Sequence, residues 1–230
     1  MLLAPAACQR VAPASPASPA KPSPAGAPAR AEPRTIAPPT VMAQTFACNL
    51  MLGVGVTAEW FDAGFERVVD DARWEAITKP HTSLAQWADE QDSVWSLPPT
   101  SPCAERALQP DRVLFTAMNW EYKTAAEWEK GLSALVVTLL IRFPSVRQIV
   151  LLTLVRAPGN VSCGNDMSVV APFVDEAVLK VAARFPELVR VGPKFEAASC
   201  ELFKNGGPHF TEAGRAVMAR HIAEYFASEP

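Results

Sequence analysis

One histidine stands out for its setting. It lies in Gly207-Pro208-His209-Phe210-Thr211-Glu212-Ala213-Gly214, just ahead of an amphipathic run to Phe226. Imidazole exchanges protons near neutral pH, and a histidine on the last loop of a domain is well placed to act as a general base in hydrolysis. Thr211 is a good N-cap for the helix that follows. Gly214, lacking a side chain, lets that helix's first turn approach its neighbours closely. Ala213, Val217, Ile222 and Phe226 fall near one face and pin the helix to a core, which holds His209 still. His221, mid-helix, reads as a packed or exposed spectator.

Elements that could position this base alternate along the chain. Ala47–Val54 is an apolar run ending in Gly53-Val54-Gly55, followed by a helical pattern from Ala58 to about Asp70. Trp74–Thr78 and Arg112–Ala117 read as strands, separated by a long Pro-containing loop. Thr124 and Glu127 form a capping box. Behind it Ala125, Trp128, Leu132, Leu135, Val136, Leu139 and Phe143 keep a helical period. Gln148–Val155 is nearly all apolar and β-branched, as a parallel strand covered on both faces requires. Ser168 is placed to cap a helix reaching Phe185, with Val174, Ala177, Val178, Val181 and Phe185 inward. Leu188–Val191 is a last strand. The alternation predicts a doubly wound α/β three-layer sandwich with a central parallel, flavodoxin-like sheet. Ligands in such folds sit beyond the carboxyl ends of the strands, where the loops after Leu52, Thr78, Ala117, Val155 and Val191 meet His209.

On these loops the chain resembles the SGNH (GDSL-type) hydrolases over roughly Asn49–Phe226. That family ends its first strand in Gly-Asp-Ser, with the serine as nucleophile. Leu52-Gly53-Val54-Gly55-Val56-Thr57 keeps the glycine and a following threonine but places Val54 at the aspartate and Gly55 at the serine. The second block, which offers a glycine amide to the oxyanion, reads Lys79-Pro80-His81-Thr82. The third supplies its asparagine as Asn119. The last, Asp-x-x-His, reads Gly206-Gly207-Pro208-His209. The resemblance implies His209 as base, Asn119 as oxyanion donor and Gly55 at the nucleophile position, with His81 and Trp120 as substrate-binding residues.

Acyl transfer by this route needs an oxygen nucleophile, a base and an orienting group. Gly55 cannot be acylated, and Gly206 cannot orient a ring. Thr57, Thr82 and Ser83 are the nearby hydroxyls, although threonine at 57 ordinarily starts a helix and loop hydroxyls ordinarily bond turns. Glu201 or Glu212 is the substitute carboxylate to consider. The sequence therefore predicts little or no esterase turnover. Two functions follow. One is an esterase acting on acyl or acetyl esters of carbohydrate or lipid. The other is a non-catalytic module holding a glycan, an acyl chain or a partner protein, with Trp60, Trp87, Trp95 and Trp120 available to stack on sugars.

Composition narrows the class. Twenty-one basic and 24 acidic residues give a net charge of −3, with no basic stripe for nucleic acid. No apolar run approaches the ~20 residues of a membrane span. None of the five cysteines shows metal-ligand spacing, so neither metal nor cofactor is expected. Met1–Cys8 resembles the end of a bacterial lipoprotein signal, with Cys8 as lipid anchor. Val11–Pro39, rich in Pro, Ala and Ser, reads as a dispensable tether. The chain thus divides into residues 1–40 (signal remnant and tether) and residues 41–230 (the hydrolase-like domain). Four cysteines remain for two disulfides in an oxidising compartment, the bacterial envelope or exterior. Cys163 and Cys200, on loops at the active-site end of the sheet, are the expected pair, leaving Cys48 and Cys103.

Overall fold

The computed structural model describes residues 46–65, 74–96, 109–119, 121–153, 156, 163, 167–204 and 209–228. Five strands, β1 (Asn49–Gly53), β2 (Trp74–Thr78), β3 (Arg112–Thr116), β4 (Gln148–Leu152) and β5 (Val189–Val191), form one sheet in the order β2-β1-β3-β4-β5. Every pairing is parallel. This is the flavodoxin-like order, whose topological switch lies between β1 and β3.

The helices are α1 (Gly55–Trp60), α2 (Leu84–Ala88), α3 (Ala125–Arg142), α4 (Met167–Arg184) and α5 (Glu212–Ser228). Alternating strand residues face opposite layers. Leu50, Leu52, Val113, Phe115, Ile149 and Leu151 pack with apolar residues of α2, α3 and α4. Met51, Leu114 and Val150 pack on the other side with Trp60 of α1 and Met218 and Ile222 of α5. Burial of the whole of β1 and β4 explains why those runs are nearly all apolar after Asn49 and Gln148.

The expected capping box opens α3, with Thr124 accepting from the Glu127 amide, and a second, Ser83 with Gln86, opens α2. Three local expectations need correction. The first helix does not run smoothly to Asp70: after Trp60 a single wider turn, Phe61–Phe65, contains Gly64 at φ 98°, which breaks the α pattern. Residues 66–70 lie outside the described residues. Helix α4 starts at Met167, so Ser168 is inside its first turn rather than capping it. Helix α5 buries Gly214, Met218, Ala219, Ile222 and Ala223, while Val217 is 42% exposed and Ala213 also faces out. The phase is set at Gly214, where any Cβ would collide with the Leu202 carbonyl.

The amino end of the sheet is fixed by charge. The Asp111 carboxylate accepts from the amides of Ala47 and Cys48, both at 2.9 Å, and pairs with Arg147 at 2.8 Å. The Arg112 guanidinium lies over the rings of Phe46, Trp74 and Phe226 at 4.4, 5.1 and 4.5 Å. Among the described residues no helix is long and apolar enough to cross a membrane. The tether, Cys8 and Cys103 lie outside the described residues.

Candidate functional site

His209 is held by a short two-stranded contact rather than by its own loop. Lys204 donates its amide to the His209 carbonyl at 2.8 Å, and the Thr211 amide reaches the Leu202 carbonyl at 3.0 Å, framing a bridge between Phe203 and Phe210. The rings of Phe203 and Phe210 stack at 5.4 Å. Thr211 caps α5 as expected, accepting from the Gly214 amide at 3.3 Å and donating to the Glu201 carbonyl at 3.0 Å. Upstream, the expected Cys163–Cys200 disulfide ties the loop after β4 to the segment leading to His209. Cys48 is also disulfide-bonded, to a partner outside the described residues.

The His209 ring has a carboxylate partner from another element. Glu59 of α1 places Oε1 2.8 Å from His209 Nδ1. Its Oε2 accepts from the Phe210 amide at 2.9 Å, with Arg215 Nε 3.7 Å away. One carboxylate therefore fixes both the ring and the backbone beside it. A carboxylate on Nδ1 assigns the proton to that nitrogen and leaves Nε2 as the basic atom. The His209 side chain is 54% exposed, whereas the Glu59 side chain is only 15% exposed. Glu201 and Glu212, the two carboxylates weighed from sequence, are replaced in this role by Glu59. A signal was present: Glu59 is four residues beyond Gly55 on α1, and residues at that spacing share a helix face.

Gly55 directly follows the N-cap Val54 at the carboxyl end of β1. The three atoms that a Cβ built there would come nearest all belong to Pro80, at 3.8 Å, an ordinary contact. Its φ is not positive, so the backbone accepts any residue. Thr57 does not supply a hydroxyl in its stead. Its Oγ1 is buried without a hydrogen-bond partner and lies where a Cβ on Gly53 would collide with it. Thr82 Oγ1 donates to the Lys79 carbonyl at 2.8 Å and accepts from Trp87 Nε1 at 3.1 Å. Ser83 caps α2. Thr82 and Ser83 thus serve the fold, and Thr57 Oγ1 is enclosed.

The second block lacks its glycine but keeps a glycine-like backbone. Exposed His81 has φ 60°, in the left-handed region that histidine enters more readily than most side chains. The Leu84 amide bonds the Met118 carbonyl at 2.7 Å, joining this loop to the one carrying Asn119. Asn119 is 1% exposed; its Oδ1 accepts from the Glu121 amide at 2.8 Å, and its Nδ2 is buried with no partner. Trp120 lies outside the described residues. Trp60 and Trp87 are 1% and 0% exposed, core residues that cannot stack on a sugar. Trp95 packs edge-on against Trp87 and Phe143.

No protein-family model and no curated protein sequence matches the chain. Solved structures do match it. A Slackia heliotrinireducens protein assigned as an SGNH hydrolase aligns over 77% of this chain and 97% of its own, at 18% identity and a TM-score of 0.56. The chain has the SGNH hydrolase fold. A Streptococcus pneumoniae protein described as a platelet activating factor aligns over 77% of this chain and 82% of its own, at 11% identity and a TM-score of 0.53. A GDSL-like lipase of Bacteroides thetaiotaomicron aligns at 10% identity over 77% of this chain and 86% of its own, with a TM-score of 0.48. Gly55 follows the first strand of that fold and Asn119 the third, while Glu59 of α1 bonds the His209 ring.

Proposed function

We propose that this SGNH-fold chain is an exported ester hydrolase acting on acyl or acetyl esters of carbohydrate or lipid, with His209 as general base, Glu59 orienting it and Asn119 binding the oxyanion. The observation that carries the reading is the Glu59–His209 bond, because a carboxylate on Nδ1 is what makes Nε2 a directed base. His81 and Pro80, beside Gly55, border the acyl-binding space in this reading, with Trp120 on the loop after Asn119. Residues 1–40 act as a tether in this reading, with Cys8 as the lipid-anchoring residue. The Cys163–Cys200 bridge supports export, since such bonds persist in oxidising compartments.

Gly55 favours a second reading: a binding module that holds an ester, glycan or partner without cleaving it. p-Nitrophenyl acetate separates the two. Hydrolysis above buffer that is lost in His209→Ala supports the enzyme. No hydrolysis, together with an acetylated oligosaccharide or acyl chain raising Tm, supports the module.

A further inference from the structure

Gly55 differs from every other described glycine. Gly64 is required by its φ of 98°. A Cβ on Gly53 would strike the Thr57 hydroxyl, and one on Gly214 the Leu202 carbonyl. At Gly131 and Gly192 it would come within 2.7 Å of Tyr122 and Leu152. At Gly55 neither conformation nor crowding excludes a side chain, since the nearest atoms, all of Pro80, stand at 3.8 Å. What glycine contributes at this position is the space that a side chain would occupy.

That space opens one helical turn from Glu59, on the same face of α1, and Glu59 holds His209 by Nδ1 at 2.8 Å. The base thus keeps its orienting group while the three neighbouring hydroxyls, Thr57, Thr82 and Ser83, are buried or committed to the fold. A dyad of this kind activates whatever O–H is presented to Nε2.

Resting on the ester-hydrolase reading, we propose that the nucleophile is a water molecule seated beside Gly55 and deprotonated by His209, so that the ester is cleaved by direct hydrolysis with no acyl-enzyme. The water oxygen bonds to the ester carbonyl carbon as its proton passes to Nε2. The carbonyl electron pair moves to oxygen, where the Asn119 amide stabilises it. Collapse breaks the carbon–alkoxide bond, and the leaving alkoxide takes the proton back from His209. The products are a carboxylic acid and an alcohol, and the imidazole returns neutral.

The test uses the full chain with p-nitrophenyl acetate, intact-mass spectrometry of quenched reactions, a serine-directed phosphonate, and the variants Gly55→Ala and His209→Ala. The expected result is steady turnover without a burst, no acetyl or phosphonate adduct, and loss of activity in His209→Ala. Gly55→Ala, whose methyl group occupies the water's place, falls roughly 10²-fold in kcat, the scale expected for misplacing a reacting group. Its melting temperature stays at the wild-type value, which separates this loss from misfolding. Turnover with an acetyl or phosphonate adduct, or full activity in folded Gly55→Ala, overturns the water mechanism and leaves the hydrolase reading standing. Absence of wild-type turnover overturns both.

Discussion

Glu59 and His209, separated by 150 positions in sequence, meet at 2.8 Å and join the helix after the first strand to the loop before the last helix. Glu59→Gln keeps the size and a hydrogen-bonding oxygen but removes the charge that stabilises a protonated ring. The expected loss is ~10²–10⁴-fold in kcat, with KM nearly unchanged, because the ring contributes mainly in the transition state. Initial-rate kinetics check this. A rise in KM at constant kcat would assign Glu59 to substrate binding instead.

The Cys163–Cys200 bridge closes 37 positions of chain directly upstream of the histidine loop. A loop of that length corresponds to ~3–4 kcal/mol by chain entropy. Replacing both cysteines by alanine should lower the denaturation midpoint accordingly and should also reduce activity, through loss of stiffness near His209. Peptide mapping without reductant should recover the two residues in one linked peptide.

Much of the fold was legible because local signals agreed with tertiary demands. The apolar run of β4, the Thr124–Glu127 box and the inward stripe of α4 each have a single physical solution. The parallel sheet covered on both faces followed from alternating elements. Apolar periodicity alone counts Ala213 and Val217 of α5 as core, while the close approach of Gly214 to Leu202 rotates the helix. His209 and Asn119 were legible as candidates from the order of the blocks. Glu59 was not, since the family pattern looks for its carboxylate beside the histidine, and only the packing of α1 against the His209 segment brings Glu59 there.

Asp111 predicts how the fold responds to acid. Burial favours its neutral form, but the amides of Ala47 and Cys48 and the Arg147 guanidinium outweigh that and hold its carboxyl below the usual carboxylate range. Its stabilisation is present above the ordinary aspartate pKa and is lost as pH falls through the lowered folded value. Asp111→Asn should destabilise the chain at pH 7 and flatten the dependence of Tm on pH at the acidic end. Melts between pH 3 and 7 measure both.

Glu75 works in the opposite sense. It is 3% exposed in β2, and burial pushes its carboxyl up to about 7. Folding favours its protonated form, so its contribution to stability falls as pH rises from the ordinary glutamate value through about 7. Glu75→Gln should raise Tm by a few degrees at pH 8, change little at pH 4 and remove this slope. A variant less stable than wild type at pH 8 would mean that the ionised carboxylate has a stabilising partner.

The most direct test of a built base lacking only a side-chain nucleophile is phosphonate labelling of Gly55→Ser. The backbone and the 3.8 Å clearance from Pro80 accept a serine, and Glu59 removes the need for a second change at Gly206. The account predicts covalent labelling at residue 55 in this variant, none in the wild-type chain, and loss of labelling when His209→Ala or Glu59→Gln is added. A folded Gly55→Ser that remains unlabelled, or a wild-type chain that is labelled, would contradict it.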